Sequence, residues 1–375
     1  MATGLPAWRS TPPATSTWLD TQKDRSAAPT RGSVDAWVRK YDACGRLLWQ
    51  HQPGTANYDI ASGVAIDAAG DVYVVGETAG SLGGANKGGV DAWVRKYDAS
   101  GRLLWQRQPG TENYDIASGV ASDATGNVYV VGQTTGSLAG ATKGSIDAWV
   151  RKYDASGRLL WQRQPGTEND DIASGVVSDA AGNVYAVGYT EGSLGGANKG
   201  GVDAWVRKYD ASGRLLWQRQ PGTENFDVAS GVASDAAGDV YVVGGTAGSL
   251  GGANKGSFDA WVRKYDASGR LLWQRQPGTE NYDVAYGVAS DAAGDVYVVG
   301  GTEGSLGGAN KGGYGDAWGR KYDASGRLLW QRQPGSTEGY DVAYGVAGDA
   351  AGDVYVVGRP TDRSAAPITA SATPG

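Results

Sequence analysis

The chain has 375 residues, with 40 acidic and 34 basic side chains, a formal net charge of −6 and a pI near 5.0. That balance argues against duplex nucleic acid as a partner, and the single cysteine, Cys44, excludes an intrachain disulfide. The length exceeds what one hydrophobic core ordinarily serves, which points to an array of small cores.

Glycine is abundant at 61 residues and tryptophan at 14, while phenylalanine, methionine and histidine number 2, 1 and 1. Many glycines beside many tryptophans predict tight turns between well-packed strands. The opening stretch "MATGLPAWRSTPPATSTWLD" shows no apolar run of signal-peptide length. No later stretch approaches the ~18 apolar residues of a membrane span. Residues 1–32 and 361–375 are rich in Pro, Ser, Thr and Ala and are expected to be flexible flanks of an ordered region, 33–360.

Inside 33–360 one unit returns. Asp35, Asp91, Asp147, Asp203 and Asp259 are spaced by 56 residues, and Asp316 follows after 57 because Gly315 is inserted. A long fixed period marks a repeat architecture. Each unit holds four strand-like runs, shown here by 119–123 "GVASD", 127–132 "NVYVVG", 147–153 "DAWVRKY" and 158–164 "RLLWQRQ". Val, Tyr and Trp suit strands. These runs are termed A, B, C and D.

A joins B through "DATG" or "DAAG", and C joins D through "DASG". Both are tight hairpin turns, with the aspartate capping and the glycine supplying positive φ. The D-to-A link "PGTENYDIA" and the B-to-C link "TTGSLAGATKGSI" are longer, which places the long loops together on one face. Along "DAWVRKY", Trp149, Arg151 and Tyr153 alternate with Ala148, Val150 and Lys152. Both faces carry apolar groups, so each small sheet is expected to be covered on both sides. Sheets stacked radially as blades meet that requirement, and the tryptophan pairs are expected to fill the space between blades.

The repeats begin at strand C (Asp35) and end at strand B (Gly358). This order predicts an all-β, six-bladed β-propeller of four-stranded antiparallel blades. Its ring is closed by a composite blade of N-terminal strands C and D with C-terminal strands A and B. The hexapeptide "DRSAAP" occurs at 24–29 and again at 362–367, where the B-to-C loop of that composite blade would fall.

The units "GVASDAAGDVYVVGGT" (231–246) and "DAWVRKYDASGRLLWQRQPGTENYD" (259–283) resemble the bacterial β-propeller repeats called SBBP, whose pattern runs roughly "GIAVDSSGNVYVTGYT" and "DAFVAKYDASGNLLW". The resemblance covers about 33–360 and departs in using Trp37, Trp93 and their counterparts where the family often has Phe. It implies a propeller fold and an extracellular or cell-envelope setting. It implies no reaction.

Catalytic constellations are hard to build from this chain. His51 is the one histidine and stands where other copies have Arg107, Arg163, Arg219, Arg275 and Arg332, which excludes a His-based triad in every blade and His-rich metal sites. Cys44 replaces the Ser100 of the next copy and reads as a drifted serine. "SLGGANKGG" follows a strand without opening a helix, so it reads as an exposed loop, not a phosphate loop. Turn aspartates such as Asp67 and Asp123 read as caps. Calcium is the alternative, although "DAAGD" offers too few oxygen ligands at short spacing. No cofactor is expected.

The loop face is the expected binding face. Glu112, Asn113, Tyr114 and Asp115 with their counterparts would ring the central opening there. Asp59, Asp115, Asp171, Asp227, Asp283 and Asp341 recur in all six copies, either to attract a cation or basic partner or to anchor the loop to strand A. Differences between copies gather on this face. The residue leaving strand B is Glu77, Gln133, Tyr189, Gly245, Gly301 or Arg359, and Ser62, Ser118, Ser174 and Ser230 give way to Tyr286 and Tyr344. A single asymmetric site would lie near Tyr282, Tyr286, Tyr340 and Tyr344, where aromatic rings can stack on a sugar or a peptide. The expected function is a monomeric, non-catalytic module that binds a glycan or protein partner multivalently. The alternatives are a hydrolase or lyase in the central channel and a purely structural cell-surface domain.

Overall fold

In a computed structural model of the chain, residues 16–20, 34–42, 44–337, 339–349 and 353–359 are described, and the regular elements among them are all strands. β1 (Ser16–Asp20), β2 (Trp37–Tyr41) and β3 (Leu47–His51) form a three-stranded sheet in that order. β4 (Asp59–Ile66), β5 (Val72–Thr78), β6 (Asp91–Tyr97) and β7 (Leu103–Arg107) form the first of five four-stranded sheets, each ordered as in sequence. The second holds β8 (Asp115–Ser122), β9 (Val128–Thr134), β10 (Asp147–Tyr153) and β11 (Leu159–Arg163). The third holds β12 (Asp171–Ser178), β13 (Val184–Thr190), β14 (Asp203–Tyr209) and β15 (Leu215–Arg219). The fourth holds β16 (Asp227–Ser234), β17 (Val240–Thr246), β18 (Asp259–Tyr265) and β19 (Leu271–Arg275). The fifth holds β20 (Asp283–Ser290), β21 (Val296–Thr302), β22 (Asp316–Tyr322) and β23 (Leu328–Arg332). β24 (Val342–Gly348) and β25 (Val354–Arg359) end the series as a two-stranded sheet.

The antiparallel four-stranded repeat agrees with the sequence reading, with D outermost and A innermost. Strand A is longer than predicted. It opens at Asp115 instead of Gly119, because Asp115 pairs with Thr134 and its amide donates to the carbonyl of Val90 in the preceding sheet. Each strand A also carries a bulge, at Ser118 in β8, which bends the strand. The glycine opposite is required there: a Cβ at Gly132 would lie 1.8 Å from the carbonyl oxygen of Ile116.

The hairpin turns are built as predicted. In the C-to-D turn, Asp98 accepts backbone N–H bonds from Ser100 and Arg102 at 3.0 and 2.9 Å, and Gly101 takes φ of 92°. In the A-to-B turn, Asp67 accepts from the amides of Ala69 and Asp71, both at 3.0 Å.

The core lies between sheets. Trp149 and Tyr153 of the second sheet pack against Tyr73, Val75, Val94 and Trp105 of the first, while Ala148 and Val150 on the opposite face pack toward the third. Strand C tryptophans Trp93, Trp149, Trp205, Trp261 and Trp318 are 0–1% exposed. Strand D tryptophans reach across: the Trp105 indole N–H donates to Ala155 O of the next sheet at 2.9 Å, and its ring lies against Gly157 in the next C-to-D turn. At the same end of the sheets, buried Lys96 lies 2.9 Å from Asp71 and over the Tyr73 ring, whose hydroxyl lies 3.0 Å from both Asp67 and Gly126 O of the next sheet.

The six A strands face one cavity of about 230 Å³, lined by Gly63, Gly119, Gly175, Gly231, Gly287 and Gly345 with neighbouring valines. The predicted composite blade is not formed as a sheet. β1 lies beside β2 in the place a B strand takes, and β24–β25 stands apart from β2–β3. Residues 16–20, within the segment expected to be flexible, thus form a strand, because β2 has an open hydrogen-bonding edge that β1 covers. The rest of 1–33 and the C-terminal tail lie outside the described residues.

Two outcomes follow for stability. Trp149→Ala should cost about 3–5 kcal/mol, read as a lower urea midpoint, while Leu104→Ala, 41% exposed on strand D, should cost clearly less. Equal losses would contradict packing between sheets as the main core. Burial pushes the Tyr73 and Tyr241 hydroxyls from 10.0 up to about 12. The folded chain then keeps protons that the unfolded chain releases, so stability is full below pH 10 and is lost as pH rises toward 12. A melting temperature that stays level across that window would contradict this.

Candidate functional site

The loop face is held by buried polar groups. Asp115 accepts from the amide and hydroxyl of Thr111 at 2.6 and 2.8 Å and from the Thr134 hydroxyl at 2.6 Å. Asp59, Asp171, Asp227 and Asp283 repeat the arrangement, and Asp341 accepts from Ser336 in the same way. All six carboxylates are 0–2% exposed. They anchor the D-to-A loop to strands A and B, which is one of the two roles the sequence left open, and they are turned away from solvent. Burial raises the pKa of Asp171, Asp227 and Asp283 against the pull of these donors.

A second anchor was not foreseen. The side-chain carbonyl of Gln108 accepts from the amides of Leu82, Gly83 and Gly84 at 2.8, 2.9 and 3.2 Å, and its amide donates to Gly80 O and to Asp91. One glutamine therefore shapes the "SLGGANKGG" loop. Its invariance among the copies was the available signal.

On this anchored face, four predicted tyrosines come together. Tyr286 and Tyr344 occupy the bulge position of β20 and β24, where other copies carry serine, and their rings lie 5.2 Å apart. Tyr282 precedes β20 and stacks on Phe258 at 5.0 Å and 7°. Tyr340 precedes β24 and lies beside Gly301. Burial raises the Tyr286 hydroxyl, and the neighbouring hydroxyls of Tyr282, Tyr340 and Tyr344 add to the rise. Tyr344 remains 50% exposed, and Tyr286 also lines the central cavity. Phe258 was missed, although it too departs from the residue at its position in the other copies.

The variable residue at the end of strand B explains how the rings fit. A Cβ at Gly245 would stand 2.0 Å from the Phe258 ring, whereas one at Gly301 would meet the Tyr340 hydroxyl in ordinary contact at 3.5 Å. Glu77 fills the corresponding place in the first sheet and accepts the Tyr58 hydroxyl at 3.1 Å. Glu303 lies on the rim of the tyrosine group, its amide donating to Tyr282 O at 2.9 Å.

The remaining predicted residues do not join this group. Glu112, Asn113 and the 59%-exposed Tyr114 sit at the equivalent corner of the second sheet, and half-buried Tyr189 belongs to the third. His51 is a packing residue: its ring stacks on Tyr97 at 4.9 Å and its Nε2 lies 2.6 Å from Gly101 O, much as Arg107 reaches Gly157 O. Cys44 is exposed. Among the described residues, no three His, Cys, Asp or Glu side chains gather as metal ligands, and no helix is long and apolar enough to cross a membrane.

A crystal structure of a protein of unknown function from Bacteroides caccae aligns over 86% of this chain and 94% of that one, at 12% identity and a TM-score of 0.44. The Regulatory protein FlaEY of Caulobacter vibrioides is 28% identical over 183 residues, which is 43% of this chain. The match spans only 19% of that protein's length. The family described as SBBP, beta-propeller repeat, matches residues 48–83 and 104–139, each running from strand D through A and B into the following loop. Both matched segments are copies of the 56-residue unit that continues through the chain, so the SBBP-type repeats read from the sequence are recognised in two of its copies.

Proposed function

We propose that the chain is a non-catalytic binding or scaffold module that recognises a glycan or a protein partner through its loop-bearing face. The single observation that carries this reading is the tyrosine group Tyr282, Tyr286, Tyr340 and Tyr344, partly exposed beside the central opening. Aromatic faces with a polar rim suit the C–H face of a sugar ring or an apolar peptide side chain. The repeated corners around Tyr58, Tyr114 and Phe226 supply further, weaker contacts that act together by multivalency.

A non-catalytic role is supported by the axis, where the described residues lining the central cavity are glycines, valines and one tyrosine. Catalysis requires distinct groups around one reacting centre. That a relative is named a regulatory protein accords with this. We place the module in an exported or cell-envelope setting, as a monomer on a ring of six blades whose sixth joins β24–β25 to β2–β3.

The test is a glycan array and a peptide pull-down, each with and without calcium, followed by titration of any ligand found. Tyr344→Ser installs the residue that four other copies carry at this place. It should leave the melting temperature near its starting value and weaken binding about tenfold, the effect of losing about 1.4 kcal/mol of aromatic contact. Unchanged affinity would remove the tyrosine group from the site, and no binding in either screen would remove the function.

A further inference from the structure

We propose that the edge of β2 is an exchange site with two occupants written into this chain: β1 holds it in the structure, and β25 of the same chain takes it as the ring closes. The inference rests on the closed ring above and is independent of the ligand.

The register shows what the edge accepts. Val72 to Gly76, "VYVVG", pairs with Trp93 to Tyr97, "WVRKY", and the same two pentapeptides pair again in β9–β10 and β17–β18. β2 is "WVRKY" and β25 opens with "VYVVG" from Val354 to Gly358, yet β2 pairs with "STWLD". β1 covers the same five positions, from Ser16 opposite Tyr41 to Asp20 opposite Trp37. The sequence beyond the strands matches as well. "DRSAAP" begins eight residues after Ser16 and eight residues after Val354. β1 therefore stands where a B strand stands, at the same distance from the same hexapeptide as β25.

The two ends carry complementary groups. Lys96, Lys152, Lys208, Lys264 and Lys321 each pair with an aspartate of the A-to-B turn in their own sheet and lie over a strand B tyrosine at 4.7–4.9 Å. Lys40 is equally buried, at 3% exposed, but among the described residues it reaches only the carbonyls of Gly70 and Ala99. Asp71, Asp67 and Asp98 act on it only at longer range and do not offset its burial, and a buried cation without a carboxylate in contact is costly. The corresponding aspartates are Asp349 and Asp353, and the corresponding ring is Tyr355, which is 45% exposed where Tyr73, Tyr129, Tyr185 and Tyr241 are fully buried.

The seam is short of apolar contact in the same way. Between the fifth sheet and β24–β25 the core is reduced to Val299, Ala317 and Ala343 with Val346 and Val356, lacking the strand C Trp and Tyr that every other junction contains. Gly45 has no atom within 4 Å of its Cβ position, whereas Gly101 and Gly157 each meet the tryptophan of the preceding sheet.

The occupant is this chain and not a second copy, because β24 and β4 line the same central cavity and so stand at neighbouring ends of one arc. β1 also has a use before closure. A chain made from its N-terminus leaves the edge of β2 bare until residue 354 exists, and an uncovered edge pairs with other chains.

Disulfide trapping in the full chain, with Cys44→Ser, tests the exchange. Arg39 is opposite Trp18 in the structure and opposite Val356 after exchange. Arg39→Cys with Val356→Cys should give an intrachain bond in the monomer, and its yield should rise when Leu19→Pro disables β1. A bond only between Arg39→Cys and Trp18→Cys, or no bond in either pair, overturns the exchange. Dimers linked through 39 and 356 assign the edge to a second copy and also overturn it. Val64→Cys with Val346→Cys and a short thiol crosslinker separates the two levels. Linkage there without the 39–356 bond leaves the closed ring standing while the exchange fails, and linkage in neither removes both.

Discussion

The contact on which the rest depends is the one tryptophan makes between neighbouring sheets. A four-stranded sheet of this size has two apolar faces and cannot bury either by itself. Strand C presents Trp149 backward to the first sheet, and strand D of that sheet sends Trp105 forward onto the glycine turn of the next. Each sheet is thus at once the lid of one core and the floor of another. Around this contact the polar groups are arranged to match: the Lys96, Tyr73 and Asp67 set at one end and the Asp115, Thr111 and Thr134 set at the other. The stacking follows from nearest-neighbour terms, which is how a repeat protein distributes its stability.

That arrangement separates the packed frame from the face that varies. The residues repeated most faithfully are those that face another sheet or close a turn, so their identity is dictated by packing. The face left to vary is the loop end. There, serine at the bulge can become tyrosine without disturbing the ladder, since the bulged residue is unpaired. Gly245 at the end of β17 then makes room for the ring of Phe258, and Gly315 for that of Tyr340. The asymmetry of the tyrosine group arises from a few substitutions on an otherwise uniform frame.

Much of the frame was legible in the sequence because its causes are local. Alternation in "DAWVRKY" and the Asp and Gly of "DASG" act over a few residues, and the 56-residue period multiplied each signal. What escaped was long-range. The start of strand A depends on Asp115 reaching Thr134, 19 residues away. Lys96 looked like one more alternating residue, and its burial depends on carboxylates across the sheet. β1 had no apolar alternation to announce it, and its place comes from the open edge of β2. The tyrosines were found because comparing copies exposes differences, whereas Gln108 was passed over because it never differs. The same comparison could not say which way the six aspartates point, since a carboxylate that anchors a loop and one that faces solvent have the same letter.

The central claim is that the sheets are coupled through their facing aromatic rings. It is tested most directly by a double-mutant cycle on Trp105 of β7 and Tyr153 of β10, whose rings lie 6.3 Å apart across two sheets. Trp105→Ala, Tyr153→Ala and the double variant are compared by urea unfolding. A coupling energy of about 0.5–1.5 kcal/mol is predicted. Additivity within about 0.3 kcal/mol would mean that the sheets stand side by side without holding one another.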